Sequence, residues 1–409
     1  MTSFAESIDR VTADELRARG GWKWGKGGPG VIGAFVAEMD FGAAPPVEAA
    51  LREVIGRAEF GYLSERAVTE MATACAAWQQ DRYGWTVDPE RIRPLPDVIT
   101  GLGAAIRVFS RPGSPVIVPT PAYMPFLTYP QSLDREIIQV PMATGGGRHH
   151  LDLDGIDAAF KRGGHLLILC NPANPVGRVY TREELAAVAD VVDANGGLVY
   201  ADEVHAPLIY PGGAHIPYAS LSAVTAGHTV TGTAASKGWN LPGLKCAQLL
   251  LSSDRDAAVW AERGSTFEHG ASTPGVWATV AAYRDGGPWL DEVVGYLDGS
   301  RTLLERLLAE YLPEVGYRPP EGTYLAWLDC RALFAERGHP VAERPAVPEE
   351  TGVPGTSPAD FFLAKAQVML TDGAACGEAG RGHVRLNFAT PRPILTEIVQ
   401  RLAAAAARR

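Results

Sequence analysis

The chain has 409 residues, of which 46% are hydrophobic and 21% charged, and a formal net charge of −10. That length exceeds one ordinary core, so two domains are expected, and the composition is that of an ordered globular enzyme. The negative charge argues against a nucleic-acid partner, and no apolar run approaches the roughly 18 residues that cross a bilayer.

The opening MTSFAESIDR carries acids early and has no apolar centre, so it does not read as a secretory leader. The five cysteines, Cys75, Cys170, Cys246, Cys330 and Cys376, are scattered and odd in number. No pair has the spacing of a zinc or redox motif, so free thiols in a reducing cytoplasm are expected, with no metal site.

From about residue 46 to 285, short apolar runs alternate with helical patterns, the grammar of a mostly parallel sheet covered by helices. Candidate strands are PVIVPT (115–120), EIIQVPM (136–142), HLLILC (165–170) and GLVYAD (197–202). TREELAAVADVVDANG reads as a helix: Thr181 caps it, Glu184 closes a capping box, and Gly196–Gly197 end it. With its flanking strands it forms one right-handed crossover unit. Residues 289–312 form a long amphipathic helix, read as the bridge into a second domain. GTYLAWLD (322–329) and HVRLNF (383–388) are candidate strands of that domain, and the proline-rich stretch 337–358 between them reads as a loop. The expected division is an N-terminal arm over 1–45, a large domain over 46–285 and a small α+β domain over 286–409.

Open α/β sheets bind ligands at the C-terminal ends of their strands, and those ends carry unusual residues here. After an expected strand near Pro94–Ile99 comes Thr100-Gly101-Leu102-Gly103, opening a helix. Small residues there suit either a tight turn or a phosphate cradle. Tyr123 sits on a proline-rich turn, placed either to pack or to stack on a flat ring. Asn171-Pro172-Ala173-Asn174-Pro175-Val176-Gly177 has two Asn-Pro steps, which force a rigid turn and turn amide side chains outward. Asp202 and Glu203 follow an apolar strand, where a carboxylate is costly unless it meets a cation such as a protonated ring nitrogen. Lys237 follows 35 residues after Asp202 among small and apolar neighbours, which lower a lysine's pKa and make it a competent nucleophile and base.

In this order the pieces resemble the fold-type I pyridoxal 5′-phosphate (PLP) enzymes of the aminotransferase class I/II superfamily, across roughly residues 15–405. The resemblance implies an α/β aspartate-aminotransferase fold, with a large domain built on a mostly parallel sheet plus a smaller α+β domain. It implies PLP as cofactor, carried by Lys237 as a Schiff base, with the same lysine moving the substrate Cα proton. Asp202 would pair with the pyridinium nitrogen, Asn174 would bond the ring oxygen and Tyr123 would stack on the ring. Thr100, Gly101, Leu102, Ser236 and Lys245 would surround the phosphate. Lys245 stands where many relatives have arginine, giving a point charge in place of a fork. Arg385 would clamp the substrate α-carboxylate.

FVAEMDFGAAPPVEAAL, FGYLSE and GRGHVRLNFATPR resemble one branch, the MalY/PatB-type cystathionine β-lyase-like carbon–sulfur lyases. His205, in DEVH, stands at the cofactor where ordinary aminotransferases usually show tyrosine. The branch implies a homodimer in which Tyr62 reaches the neighbouring subunit's phosphate; read alone, Tyr62 is as readily a core aromatic. The implied reaction is α,β-elimination from a thioether amino acid to pyruvate, ammonia and a thiol. Transamination is the alternative, because it needs the same lysine, aspartate and arginine. A non-catalytic PLP-binding regulator is a third reading, against which stands the lack of a basic helix-turn-helix before residue 15.

Overall fold

The computed structural model describes residues 3–145, 147–335 and 357–407. Seven strands form its main sheet: β1 (Ile92–Leu95), β2 (Val116–Thr120), β3 (Ile137–Pro141), β4 (Leu166–Cys170), β5 (Leu198–Asp202), β6 (Thr229–Thr233) and β7 (Ala247–Leu251). They lie in the order β1-β7-β6-β5-β4-β2-β3. β7 runs antiparallel to both its neighbours, and the other neighbouring pairs are parallel. A sheet covered on both faces needs apolar residues at consecutive positions, and β2, β5, β6 and β7 are buried at every residue. Val116 and Val118 enter one core while Ile117 enters the core on the opposite face.

The four strands expected from their apolar runs are present within a residue of their expected ends. The helix between β4 and β5, α1 (Arg182–Ala194), has its capping box: Glu184 N–H donates to Thr181 Oγ1 at 3.2 Å, and Thr181 N–H returns to Glu184 Oε2 at 2.8 Å. Gly196, at φ +57°, then turns the chain out of the helix through the left-handed region.

The long helix α2 (Gly287–Tyr311) buries Leu290, Val293, Leu297, Leu304 and Leu308, one face at three- and four-residue spacing. Beyond it, β8 (Gly316–Tyr317), β9 (Leu325–Asp329), β10 (Thr371–Asp372) and β11 (His383–Asn387) form an antiparallel sheet in the order β8-β9-β11-β10. Ile32–Gly33 pairs in parallel with Val368–Met369, which ties the N-terminal segment to this second body. We propose the expected boundaries near residues 45 and 285 as the division between the bodies. The proline-rich stretch lies outside the described residues, except that Ser357 caps a helix, Pro358–Ala366.

Candidate active site

Asp202 is the last residue of β5, and Lys237 lies on a one-turn helix, Ala235–Gly238, that follows β6. These strands are adjacent, so both side chains arrive at the same end of the sheet. Asp202 is buried, its Oδ1 accepting the Val204 N–H at 3.1 Å. No cation lies within ion-pair distance of it among the described residues. Burial therefore raises its pKa to about 7, even though the Val204 N–H and the Lys237 charge favour the carboxylate. Lys237 Nζ donates to the Ala37 carbonyl at 2.9 Å. Burial, with the Arg385 charge nearby, lowers its pKa to about 8 against the opposing pull of Glu38 and Asp202.

Asn174 and Arg385 come together from different bodies. The guanidinium is buried on β11, and its Nη1 donates to Asn174 Oδ1 at 2.9 Å. Its Nη2 donates to the Phe35 carbonyl at 2.8 Å and to Thr371 Oγ1 at 3.1 Å, while its buried Nε has no partner among the described residues. Tyr123 meets Phe126 edge-on at 5.4 Å. Burial raises its pKa, and its hydroxyl responds to the Arg385 and Asp202 charges. His205 is buried with Nδ1 unpartnered among the described residues, and burial followed by the Lys237 and Arg385 charges holds its pKa well below the usual imidazole range.

Residues 34–40, which entered the sequence reading only through the branch resemblance and with no role at the site, form part of it. Tyr324 Oη shares the Ala37 carbonyl with Lys237, also at 2.9 Å. Asn387 Nδ2 donates to the Val36 and Glu38 carbonyls, each at 2.6 Å, and Met39 N–H donates to Asn240 Oδ1 at 2.8 Å. A buried ion pair, Lys23 to Asp40 at 2.8 Å, anchors the end of the segment. The only trace in the sequence is FVAEMDF itself, an apolar loop with two acids and no period.

The expected phosphate turn needs correction. The strand near Pro94–Ile99 ends at Leu95, and a helix starts at Val98, two residues earlier than expected. Asp97 caps it: its Oδ1 accepts from Thr100 N–H at 2.8 Å and from Thr100 Oγ1 at 3.0 Å. Gly101 N–H bonds the Asp97 carbonyl, and Leu102 is fully buried. The amides ahead of the first intrahelical bond are thus those of Val98 and Ile99. Gly101 has a packing role: a Cβ there would stand 2.7 Å from Tyr200 Oη. Lys245 Nζ lies at the same helix end, 3.0 Å from Asp97 Oδ2. Burial opposes ionisation of Asp97, but the Thr100 N–H and Lys245 hold its pKa below the usual range. Ser236 is the second residue of the turn that carries Lys237. Tyr62 is fully exposed, so it is not a core aromatic.

The model of the family described as aminotransferase class I and II matches residues 36–402. The chain is 35% identical to the cystathionine beta-lyase of Corynebacterium glutamicum, over 95% of this chain and 98% of that protein. It is 33% identical to the cystathionine beta-lyase PatB of Bacillus subtilis, over 94% and 96% of the two chains. Its structure superposes on the PLP-bound C-S lyase of Staphylococcus hominis with a TM-score of 0.83 and 27% identity, covering 92% of each chain.

Proposed function

Since the chain belongs to the aminotransferase class I and II family, we propose that it is a PLP-dependent carbon–sulfur β-lyase acting on cystathionine-type thioether amino acids. The observation that carries this reading is the pairing of a buried, high-pKa Asp202 with a part-buried, low-pKa Lys237 at adjacent strand ends. It is supported by the lyases that the chain resembles over nearly its whole length.

The residues present fit the cofactor. Asp202 is a buried acid without a bonded cation among the described residues, and a protonated ring nitrogen would supply one. Asn174 spends Oδ1 on Arg385, leaving its NH₂ group to donate to a ring oxygen. His205 keeps an unpartnered buried Nδ1 beside them. Val98 and Ile99 amides, Ser236 and Lys245 would hold the phosphate, with the Thr100 hydroxyl at the rim. When bound, the cofactor supplies an aldehyde for covalent attachment and a ring that accepts the electron pair left at the substrate Cα.

Lys237 would hold the cofactor covalently and then, once the substrate amine takes its place, remove the Cα proton. A pKa near 8 leaves a usable fraction of neutral amine at neutral pH. Arg385 would hold the α-carboxylate in a fork already oriented by Asn174, Phe35 and Thr371. Residues 34–40 would hold the Lys237 amine in place through the Ala37 carbonyl. Loss of the β-thiolate, followed by hydrolysis of the three-carbon remainder, gives pyruvate, ammonia and a thiol.

A homodimer is part of the proposal, with Tyr62 reaching the neighbouring subunit's phosphate. It is supported by the exposure of Ile55, Phe60 and Tyr62 on one short stretch, a patch that a partner would cover. The proposed compartment is the reducing cytoplasm, in keeping with five free cysteines. No helix among the described residues is long and apolar enough to cross a membrane.

Incubation with cystathionine in the absence of any 2-oxo acid tests the reaction. Sustained release of pyruvate and thiol is expected. Conversion of the cofactor to its pyridoxamine form, with no pyruvate, would show an aminotransferase instead.

A further inference from the structure

Tyr324, just ahead of β9, is fully buried, and its Oη donates to the Ala37 carbonyl at 2.9 Å. Lys237 Nζ donates to the same oxygen, also at 2.9 Å. A carbonyl oxygen has two lone pairs, so these two donors fill it, and no third group bonds it among the described residues. The neighbouring carbonyls are taken as well. Phe35 accepts from Arg385 and Thr371, and Val36 and Glu38 accept from Asn387. Ala37 therefore cannot turn its oxygen to a new donor without breaking that row.

The tyrosine is as fixed as the carbonyl. Phe388 N–H donates to the Tyr324 carbonyl at 3.0 Å, and Tyr210 Oη donates to the carbonyl of Thr323. The Tyr324 ring meets His205 edge-on at 6.0 Å. Burial first, then the Glu38 charge, raises the phenol's pKa, so Tyr324 remains a donor wherever Lys237 titrates. Arg385, Glu38 and Asp202 reach the amine by charge, and His205 in turn responds to the amine. None of these side chains bonds the Ala37 oxygen.

Lys237 has to leave this oxygen to bond the cofactor and to reach the substrate Cα. A buried carbonyl left with no donor is costly, and a hydrogen bond to an ammonium favours its charged form. We propose that Tyr324 is a positioning residue for Lys237. By keeping the Ala37 carbonyl bonded it lets the amine leave, and by sharing that oxygen it loosens the carbonyl's hold on the ammonium. This role rests on Lys237 carrying the cofactor, as proposed above.

Tyr324→Phe removes the hydroxyl and keeps the ring, with the melting temperature confirming that the variant folds. In the full-length protein without cofactor, the pH midpoint for amine-selective labelling of Lys237 is expected to rise by at least about half a pH unit, because the ammonium gains sole use of the oxygen. Cofactor affinity of the same variant is expected to fall at least about threefold. Tyr210→Phe, which deletes the neighbouring buried hydroxyl–carbonyl bond, is expected to lower the melting temperature and leave midpoint and affinity in place. A midpoint in Tyr324→Phe that stays put or falls overturns the proposal. So does unchanged cofactor affinity, or an equal rise of the midpoint in Tyr210→Phe. An unmoved midpoint beside a borohydride-fixed cofactor on Lys237 removes the role of Tyr324 alone; a cofactor fixed on another lysine removes the reading on which it rests.

Discussion

Arg385 donates to Asn174 at 2.9 Å, joining a strand of the small sheet to the turn that follows the fourth strand of the large one. Two groups assigned to different ligand atoms are therefore one unit, because each orients the other.

Coupled behaviour follows. Arg385→Lys replaces a fork with a point charge and should lower kcat/KM about 10- to 100-fold, chiefly through KM. Asn174→Ala should cost about tenfold, an order-of-magnitude expectation for one lost charged hydrogen bond. The double variant should lose less than the product of the two, with a coupling of about 1 kcal/mol. Steady-state kinetics on the four proteins measures this; strict multiplicativity would show that the two side chains act separately.

The lowered pKa of Lys237 predicts early reactivity. A lysine titrating near 8 presents neutral amine two pH units below a surface lysine. In cofactor-free protein, amine-selective labelling of Lys237 should reach half its maximal rate near pH 8, as read by peptide mapping. A midpoint near 10 would place the amine in bulk-like solvent.

Asp202 has its folded pKa raised from the ordinary 3.8 of an aspartate to about 7. The folded protein therefore binds more protons than the unfolded chain in that window, so this group lowers stability as pH rises from about 4 to about 7. In cofactor-free protein, Asp202→Asn should remove that penalty. Its stability advantage should grow across the window and level off above it, reaching at most about 4 kcal/mol. The same variant should lose at least about 100-fold in activity, because a neutral amide cannot hold the ring proton. Denaturant melts at several pH values check the first outcome and turnover the second.

Tyr62 is fully exposed on one chain, so its substitution should do little to the fold. Tyr62→Ala should keep the wild-type melting temperature of the cofactor-free protein within about 2 °C, since surface changes stay near 0.5 kcal/mol. If the residue reaches a partner's phosphate, cofactor affinity should nevertheless fall about tenfold, the size of one lost hydrogen bond to a charged group. Sedimentation should show a dimer in both proteins. Unchanged cofactor affinity would remove Tyr62 from the site.

Much of this arrangement was legible because single strands and helices announce themselves locally. The β2, β4 and β5 runs are apolar until β2 and β5 end in Thr120 and Asp202, and Thr181 with Glu184 marks its helix by side-chain chemistry alone. The start of the helix after β1 was misplaced for a local reason too. Pro94 to Ile99 is apolar enough to read as strand, yet Asp97 takes up the Thr100 amide and starts a helix inside that run. Residues 34–40 were illegible for a different reason. Their carbonyls are bonded by Lys237, Tyr324, Arg385 and Asn387, partners 200 to 351 positions away, and no local pattern encodes such pairings.

The central claim is that the Lys237 amine holds the cofactor. Borohydride reduction of the yellow holoenzyme, followed by peptide mapping, tests it most directly. The account predicts loss of the visible band and a pyridoxyl adduct on Lys237, with Lys237→Ala folded but unlabelled. An adduct on another lysine, or a band that survives reduction, would contradict it.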